Sequence, residues 1–189
     1  MDRNKIQGRL TFLKEAENLK NVLRSSHTSK GRSESTAEHT WRLALLALVF
    51  EDELDQLDFS KILKMCLVHD LGETINGDVP AIEKHKFPNK DAQERNDLLI
   101  LTHSLDEPLR NSLLGLWEEY EAGETDEAIA VKALDKLETI LQHNQGSNPE
   151  DFDYEFNLTY GEKYTDKHPL FKSIRLILDE ETKNRMKEN

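Results

Sequence analysis

The sequence predicts an all-α fold, a helical bundle built as a single domain. Apolar residues recur at three- and four-residue spacing through most of the 189 residues, which lines them along one side of successive helices. No stretch alternates apolar and polar residues as a half-buried strand would. The length suffices for one core of ordinary size and would leave two cores small.

Leu10, Phe12, Leu13, Ala16, Leu19, Val22 and Leu23 predict a first helix over about 7–23, with Arg24 at its end. A cation there complements the helix dipole. Ser25 to Ser33 reads as a polar loop. Ser35 and Glu38 fit the Ser-x-x-Glu capping box that opens a helix. His39 then falls in the first turns of a second helix, with Trp41 expected in the core. From Leu43 to Phe50 this helix is apolar nearly all round, so it should lie centrally.

Asp58 is a suitable N-cap for a third helix running to about Asp70, and Gly72 fits its stop. Beyond it lie Glu73, the turn dipeptide Asn76-Gly77, Asp78 and Pro80. Residues 83–90 read as a mobile polar loop, 91–103 as a fourth helix, and the stretch from Pro108 to Gly123 as a fifth. Thr125 caps a sixth, over about 126–143. Asp135 is the anomaly in that helix, because it sits on a side that is otherwise apolar, and a buried carboxylate must be paired, neutral or bound to metal. Its neighbour Lys136 is the simplest partner. After Gln145 the chain is irregular and carries Phe152, Tyr154, Phe156, Tyr160 and Tyr164, until Pro169 opens a last amphipathic helix. One domain over 1–189 is expected, with a motif-bearing core at about 10–145 and a C-terminal loop and helix at 146–189.

The net charge of -12 disfavours a nucleic-acid polymer or an anionic membrane, while leaving room for a small phosphorylated substrate. A single cysteine, Cys66, permits no internal disulfide and excludes a cysteine-rich structural zinc site. With no apolar leader after the N-terminus and no apolar run long enough to span a bilayer, a cytoplasmic protein is expected.

Three helices thus present His39, then His69-Asp70, then Asp135. Two imidazoles and two carboxylates suit one divalent cation of the Mn, Fe, Co, Ni or Zn type, with positions left for water. A cation so held can acidify a bound water and neutralise a phosphate oxygen. The bland alternative is a structural ion pair among these residues.

The ordered motifs resemble the His…His-Asp…Asp signature of the HD-domain metal-dependent phosphohydrolases. More narrowly, Glu34-Ser35-Thr36-Ala37-Glu38-His39-Thr40-Trp41, His69-Asp70-Leu71-Gly72-Glu73 with Gly77-Asp78, and Leu134-Asp135-Lys136-Leu137-Glu138 resemble the 5'-deoxynucleotidase branch. The resemblance implies an all-helical domain, often a homodimer, that hydrolyses deoxyribonucleoside 5'-monophosphates with Mn or Co, with Mg also within the range of metals. It implies His39, His69, Asp70 and Asp135 as metal ligands, Glu73 and Asp78 as catalytic carboxylates, and Arg24 as a phosphate contact. Glu119 would reach the sugar. The chain departs from the bacterial pattern at Ser25, where a Trp would follow the phosphate-contacting Arg. Competing readings are an HD phosphohydrolase acting on another nucleotide, such as a guanosine polyphosphate, and a metal- and nucleotide-binding module without turnover.

Overall fold

The computed structural model describes residues 2–188. Its helices are α1 (Arg3–Ala16), α2 (Thr36–Val49), α3 (Phe59–Val68), α4 (Glu73–Asn76), α5 (Lys90–Leu101), α6 (Glu107–Ala122), α7 (Asp126–Gln145), α8 (Glu162–Thr165) and α9 (Pro169–Glu188). Short 3-10 turns at Glu17–Lys20, Glu51–Glu53, Ala81–Lys86 and Glu155–Leu158 join them. No helix among the described residues is long and apolar enough to cross a membrane.

Helix α7 is the axis of the molecule. It packs against α2, α3, α6, α8 and α9, and its apolar residues Val131, Leu134, Leu137 and Ile140 are fully buried. Leu43 and Ala47 of α2, Ile62 and Met65 of α3, and Phe171 of α9 close around them. Burying each large aliphatic side chain contributes about 1.5–3 kcal/mol, so this strip fixes where α2, α3 and α7 meet. A second cluster, including Val68, Leu98, Leu101 and Trp117, holds α5 and α6 against the end of α3.

Three sequence expectations change here. The first helix closes at Ala16 and tightens into a 3-10 turn, where Asn18 Nδ2 donates to the Thr74 carbonyl at 2.6 Å. The segment expected as a polar loop holds two short antiparallel strands, β1 (Leu23–His27) and β2 (Ser33–Ser35). Arg24 therefore projects from a strand. The hairpin turns through Gly31, whose φ of 80° is open to glycine, and Ser147 N–H donates to the Thr28 carbonyl at 3.0 Å, tying it to the end of α7. Trp41 is 63% exposed instead of core. It shares an outward face of α2 with Leu45 and Leu48, four and seven residues on, which are also exposed.

Candidate metal-binding and hydrolytic site

Local structure explains how the chain delivers the polar residues to one place. Ser35 Oγ accepts from Glu38 N–H at 3.3 Å, and Ser35 N–H donates to Glu38 Oε2 at 2.9 Å, closing both halves of the capping box. With α2 started there, His39 lies on its inner face, with no exposure. The His69 N–H still bonds to the Met65 carbonyl at 2.9 Å, so His69 and Asp70 continue from the buried end of α3. Gly72 then lets the chain pass under α5, since a Cβ there would stand 2.7 Å from the Glu94 carbonyl oxygen. Helix α4 follows at once and returns Glu73 to the interior, anchored by Asn76 Nδ2 donating to Asp97 Oδ2 at 2.6 Å.

The Nε2 atoms of His39 and His69 and an Asp70 oxygen converge, all within 4.8 Å of one another. His69 Nε2 stands 3.1 Å from Asp70 Oδ2; His39 Nε2 stands 3.7 Å from that oxygen and 3.1 Å from Asp135 Oδ1. Both Nε2 atoms and Asp70 Oδ2 are buried without a hydrogen bond. Each imidazole is oriented from behind. His69 Nδ1–H donates to the Cys66 carbonyl at 2.9 Å, and His39 Nδ1 is bonded to Glu138 Oε2. That arrangement turns each Nε2 towards the cluster, and in the neutral imidazole this nitrogen carries the lone pair that ligates metal; at His39, a cation would take the place of the proton that Glu138 and Asp135 favour there. Asp135 keeps Oδ1 towards the cluster because Oδ2 takes Tyr120 Oη–H at 2.8 Å and Lys136 Nζ at 2.7 Å. Buried polar atoms left unpaired are costly, and a divalent cation satisfies all three at once. The residues fit such an ion.

The charges around this cluster are balanced in layers. Burial opposes ionisation of Asp70, but His69, His39 and Arg24 hold its carboxyl below the usual range. Burial likewise works against the Asp135 carboxylate, and Lys136 and His39 outweigh it, holding it well below the usual range. For His39, burial and Arg24 push downward, while Glu138 and Asp135 raise it to about 10. Glu138, with no exposure, also accepts from Arg42 Nε at 2.6 Å. Glu34, pushed up to about 7 chiefly by burial and by Glu138, faces Arg24 Nε at 3.6 Å.

The cluster opens onto a cleft of about 370 Å³ lined by Arg24, His69, Asp70, Glu73, Asp78 and Asp135, among others. Arg24 Nη1 lies 3.7 Å from Asp70 Oδ2, and its Nη2 donates to Thr139 Oγ1 at 3.2 Å. Glu73 is 4% exposed; Thr36 Oγ1 donates to its Oε2 at 3.3 Å, and Lys90 Nζ lies 3.5 Å from Oε1. Burial, then Asp70 and Asp78, raise its carboxyl well above the ordinary value against the pull of Lys90 and Arg24.

Glu119 does not join the others. It is engaged on the far side of α6 by Lys61 Nζ at 2.8 Å and by Thr125 Oγ1 at 2.6 Å. The helix turns its neighbours Tyr120 and Glu121 to the cleft instead. Sequence reasoning assigned no role to Glu138, whose signal was its place on the buried side of α7, three residues after Asp135. Glu34 and Tyr120 carried no such signal.

A family model described as HD domain matches residues 16–175. The chain belongs to the HD domain family. Among curated HD relatives, a 5'-deoxynucleotidase of Dictyostelium discoideum is 32% identical over 189 residues, spanning 92% of this chain and 98% of that protein. A human 5'-deoxynucleotidase is 36% identical over 138 residues, covering 72% of this chain and 67% of its own. Among solved structures, a predicted metal-dependent phosphohydrolase from Magnetospirillum magnetotacticum MS-1 superposes with a TM-score of 0.80 at 23% identity over 97% of each chain, which shows the shared fold. A conserved hypothetical protein from Pyrococcus furiosus gives a TM-score of 0.63 at 27% identity, over 92% of this chain and 99% of that one.

Proposed function

We propose that this protein is a metal-dependent phosphomonoesterase that removes the 5'-phosphate from deoxyribonucleoside 5'-monophosphates. One observation carries the reading: two imidazole nitrogens and a carboxylate oxygen, buried and unpaired, meet on the floor of a cleft beside an arginine. His39, His69, Asp70 and Asp135 would hold the cation; their nitrogen and oxygen donors suit the range from Mn to Zn, and Mn or Co is proposed within it from the resemblance to the 5'-deoxynucleotidases. When bound, it supplies positive charge to the phosphoryl oxygens and acidity to the attacking water.

The remaining steps fall to the chain's own groups. Arg24, charged and pinned by Glu34 and Thr139, binds a phosphate oxygen. Asp78 accepts the proton of the water that attacks phosphorus. Glu73, whose carboxyl burial, Asp70 and Asp78 raise well above its ordinary value, gives its proton to the 5'-oxygen as the phosphorus–oxygen bond breaks. The products are a nucleoside and inorganic phosphate. Four cationic side chains face seven carboxylates besides Glu73 along the cleft lining. That surplus favours a substrate with one phosphate over a guanosine polyphosphate, whose additional charges would go unmatched.

We place the enzyme in the cytoplasm as a homodimer, with the exposed Trp41, Leu45 and Leu48 face of α2 as the contact between copies. Phosphate release should be measured from deoxy- and ribonucleoside 5'-monophosphates and from guanosine polyphosphates, with Mn or Co present. Release confined to monophosphates, and stronger for the deoxy series, is the expected result. Preference for a polyphosphate, or no release from any monophosphate, would overturn the assignment.

A further inference from the structure

The cleft continues past the metal-binding cluster along α7. Asp135, Thr139 and His143 follow at four-residue steps on one face and all line it, so His143 lies about 12 Å along the helix from Asp135. At that far end the wall comes from the segment between α7 and α8. Phe152 and Phe156 line the cleft and are only partly buried. Neither belongs to either of the two apolar clusters that hold the bundle together. Phe152 instead meets the His143 ring edge-on, with centroids 4.8 Å apart at 73°, and Phe156 lies against Tyr160 at 4.8 Å and 33°. Two phenyl rings that the core does not use present apolar surface at the end of a cleft whose other end is highly charged.

This wall is held in place before any ligand arrives. Arg175 of α9, 6% exposed, donates from Nη2 to the Asn157 carbonyl at 2.8 Å and from Nη1 to the Tyr160 carbonyl at 2.7 Å. Its Nε donates to Asp179 Oδ1 at 2.6 Å, which fixes the guanidinium itself. His143 Nδ1 is bonded to Asn157 Oδ1 at 2.8 Å, so the same turn is tied to α7 as well. A surface ordered in advance loses little freedom when something stacks on it.

We propose that Phe152 and Phe156 form the wall on which the substrate's nucleobase stacks, an inference that rests on the nucleotide reading of the site. Phenyl rings offer a π face and no hydrogen-bonding edge, so they favour a planar aromatic base without choosing strongly among bases. The charged end of the cleft takes the phosphate and the aromatic end takes the base, leaving the sugar between them near Thr139.

The test compares deoxyadenosine 5'-monophosphate with deoxyribose 5-phosphate, which lacks the base, as substrates of the Mn-loaded full chain. In Phe156→Ala the kcat/KM advantage of the nucleotide over the sugar phosphate should fall about tenfold. Phe156→Leu, which keeps apolar volume without the π face, should show a smaller fall in the same direction, and Phe152→Ala should resemble Phe156→Ala. An advantage unmoved in the alanine variants would overturn the proposal. Binding of deoxyadenosine, followed by saturation-transfer NMR, should weaken about tenfold in Phe156→Ala. If the wild type hydrolyses neither compound, the substrate reading fails and binding alone decides the wall: deoxyadenosine that binds wild type and variant alike, or neither, overturns it.

Discussion

Replacing Glu138 by Gln tests whether the cluster is built to hold a metal from behind as well as in front. The carboxylate is fully buried, with one oxygen on His39 Nδ1 and the other on Arg42 Nε. An amide is nearly isosteric but has only one acceptor atom, so it must either present its NH2 group to Arg42 or lose the bond that orients His39. Outer partners of ligating histidines are worth about 10- to 100-fold in metal affinity, or about 1.4–2.7 kcal/mol. Arg42 retains its bond to Gln145 Oε1 at 2.9 Å and is partly exposed, so the fold itself should lose less than the 3–5 kcal/mol of a fully buried broken pair. Calorimetric titration with Mn at pH 7.5 reads the affinity, and a thermal melt of the metal-free protein reads the fold. Arg42→Gln leaves Glu138 on His39 and should weaken metal binding less. Wild-type affinity in Glu138→Gln would refute the claim that His39 is oriented for a metal.

Further outcomes follow from the same geometry. Glu73→Gln should keep the metal and lose about 10²- to 10⁴-fold in turnover; full activity by phosphate release would remove Glu73 from the reaction. Because the folded-state pKa of Glu73 is raised, the unfolded chain gives up that proton first, so stability falls as the pH rises above the ordinary carboxylate value and levels off once the native carboxyl has ionised too. Thermal melts should therefore show Glu73→Gln more stable than wild type at pH 8, with the gain vanishing near pH 4, where the native carboxyl is protonated in both states. Stripping divalent ions should lower the melting temperature, and Mn restored at about 100 times its Kd should return about 2.7 kcal/mol, or roughly 5–10 °C. Gly72→Ala places a Cβ 2.7 Å from the Glu94 carbonyl and should cost about 1–3 kcal/mol by denaturant unfolding.

The parts of this structure that the sequence announced are those governed by local rules. The Ser35–Glu38 capping box starts α2 where it was expected, Gly123 ends α6 with a φ of 60°, and Thr125 caps α7. Asp135 betrayed itself by standing on an apolar face. The β1–β2 hairpin was hidden because Leu-Arg-Ser-Ser-His and Ser-Glu-Ser carry no strand pattern; the two short strands exist through pairing with each other and docking on α7. Trp41 was misread because an apolar residue on a helix does not reveal whether a neighbour covers it. Glu119 and Tyr120 differ by about 100° of helix rotation, and only the packing of α6 on α3 and α7 decides which one reaches the cleft. The cleft positions of Phe152 and Phe156 depend on anchoring by Arg175 and His143, contacts distant in sequence.

The most direct test of the central claim is turnover of deoxyadenosine 5'-monophosphate by metal-stripped protein as Mn is titrated back, beside Asp70→Ala. Phosphate release that is absent without metal, rises to saturation with Mn, and stays absent in the variant at every concentration is the predicted result. Release that is insensitive to metal, or that survives in Asp70→Ala, would contradict the assignment of the His39, His69 and Asp70 cluster as the hydrolytic centre.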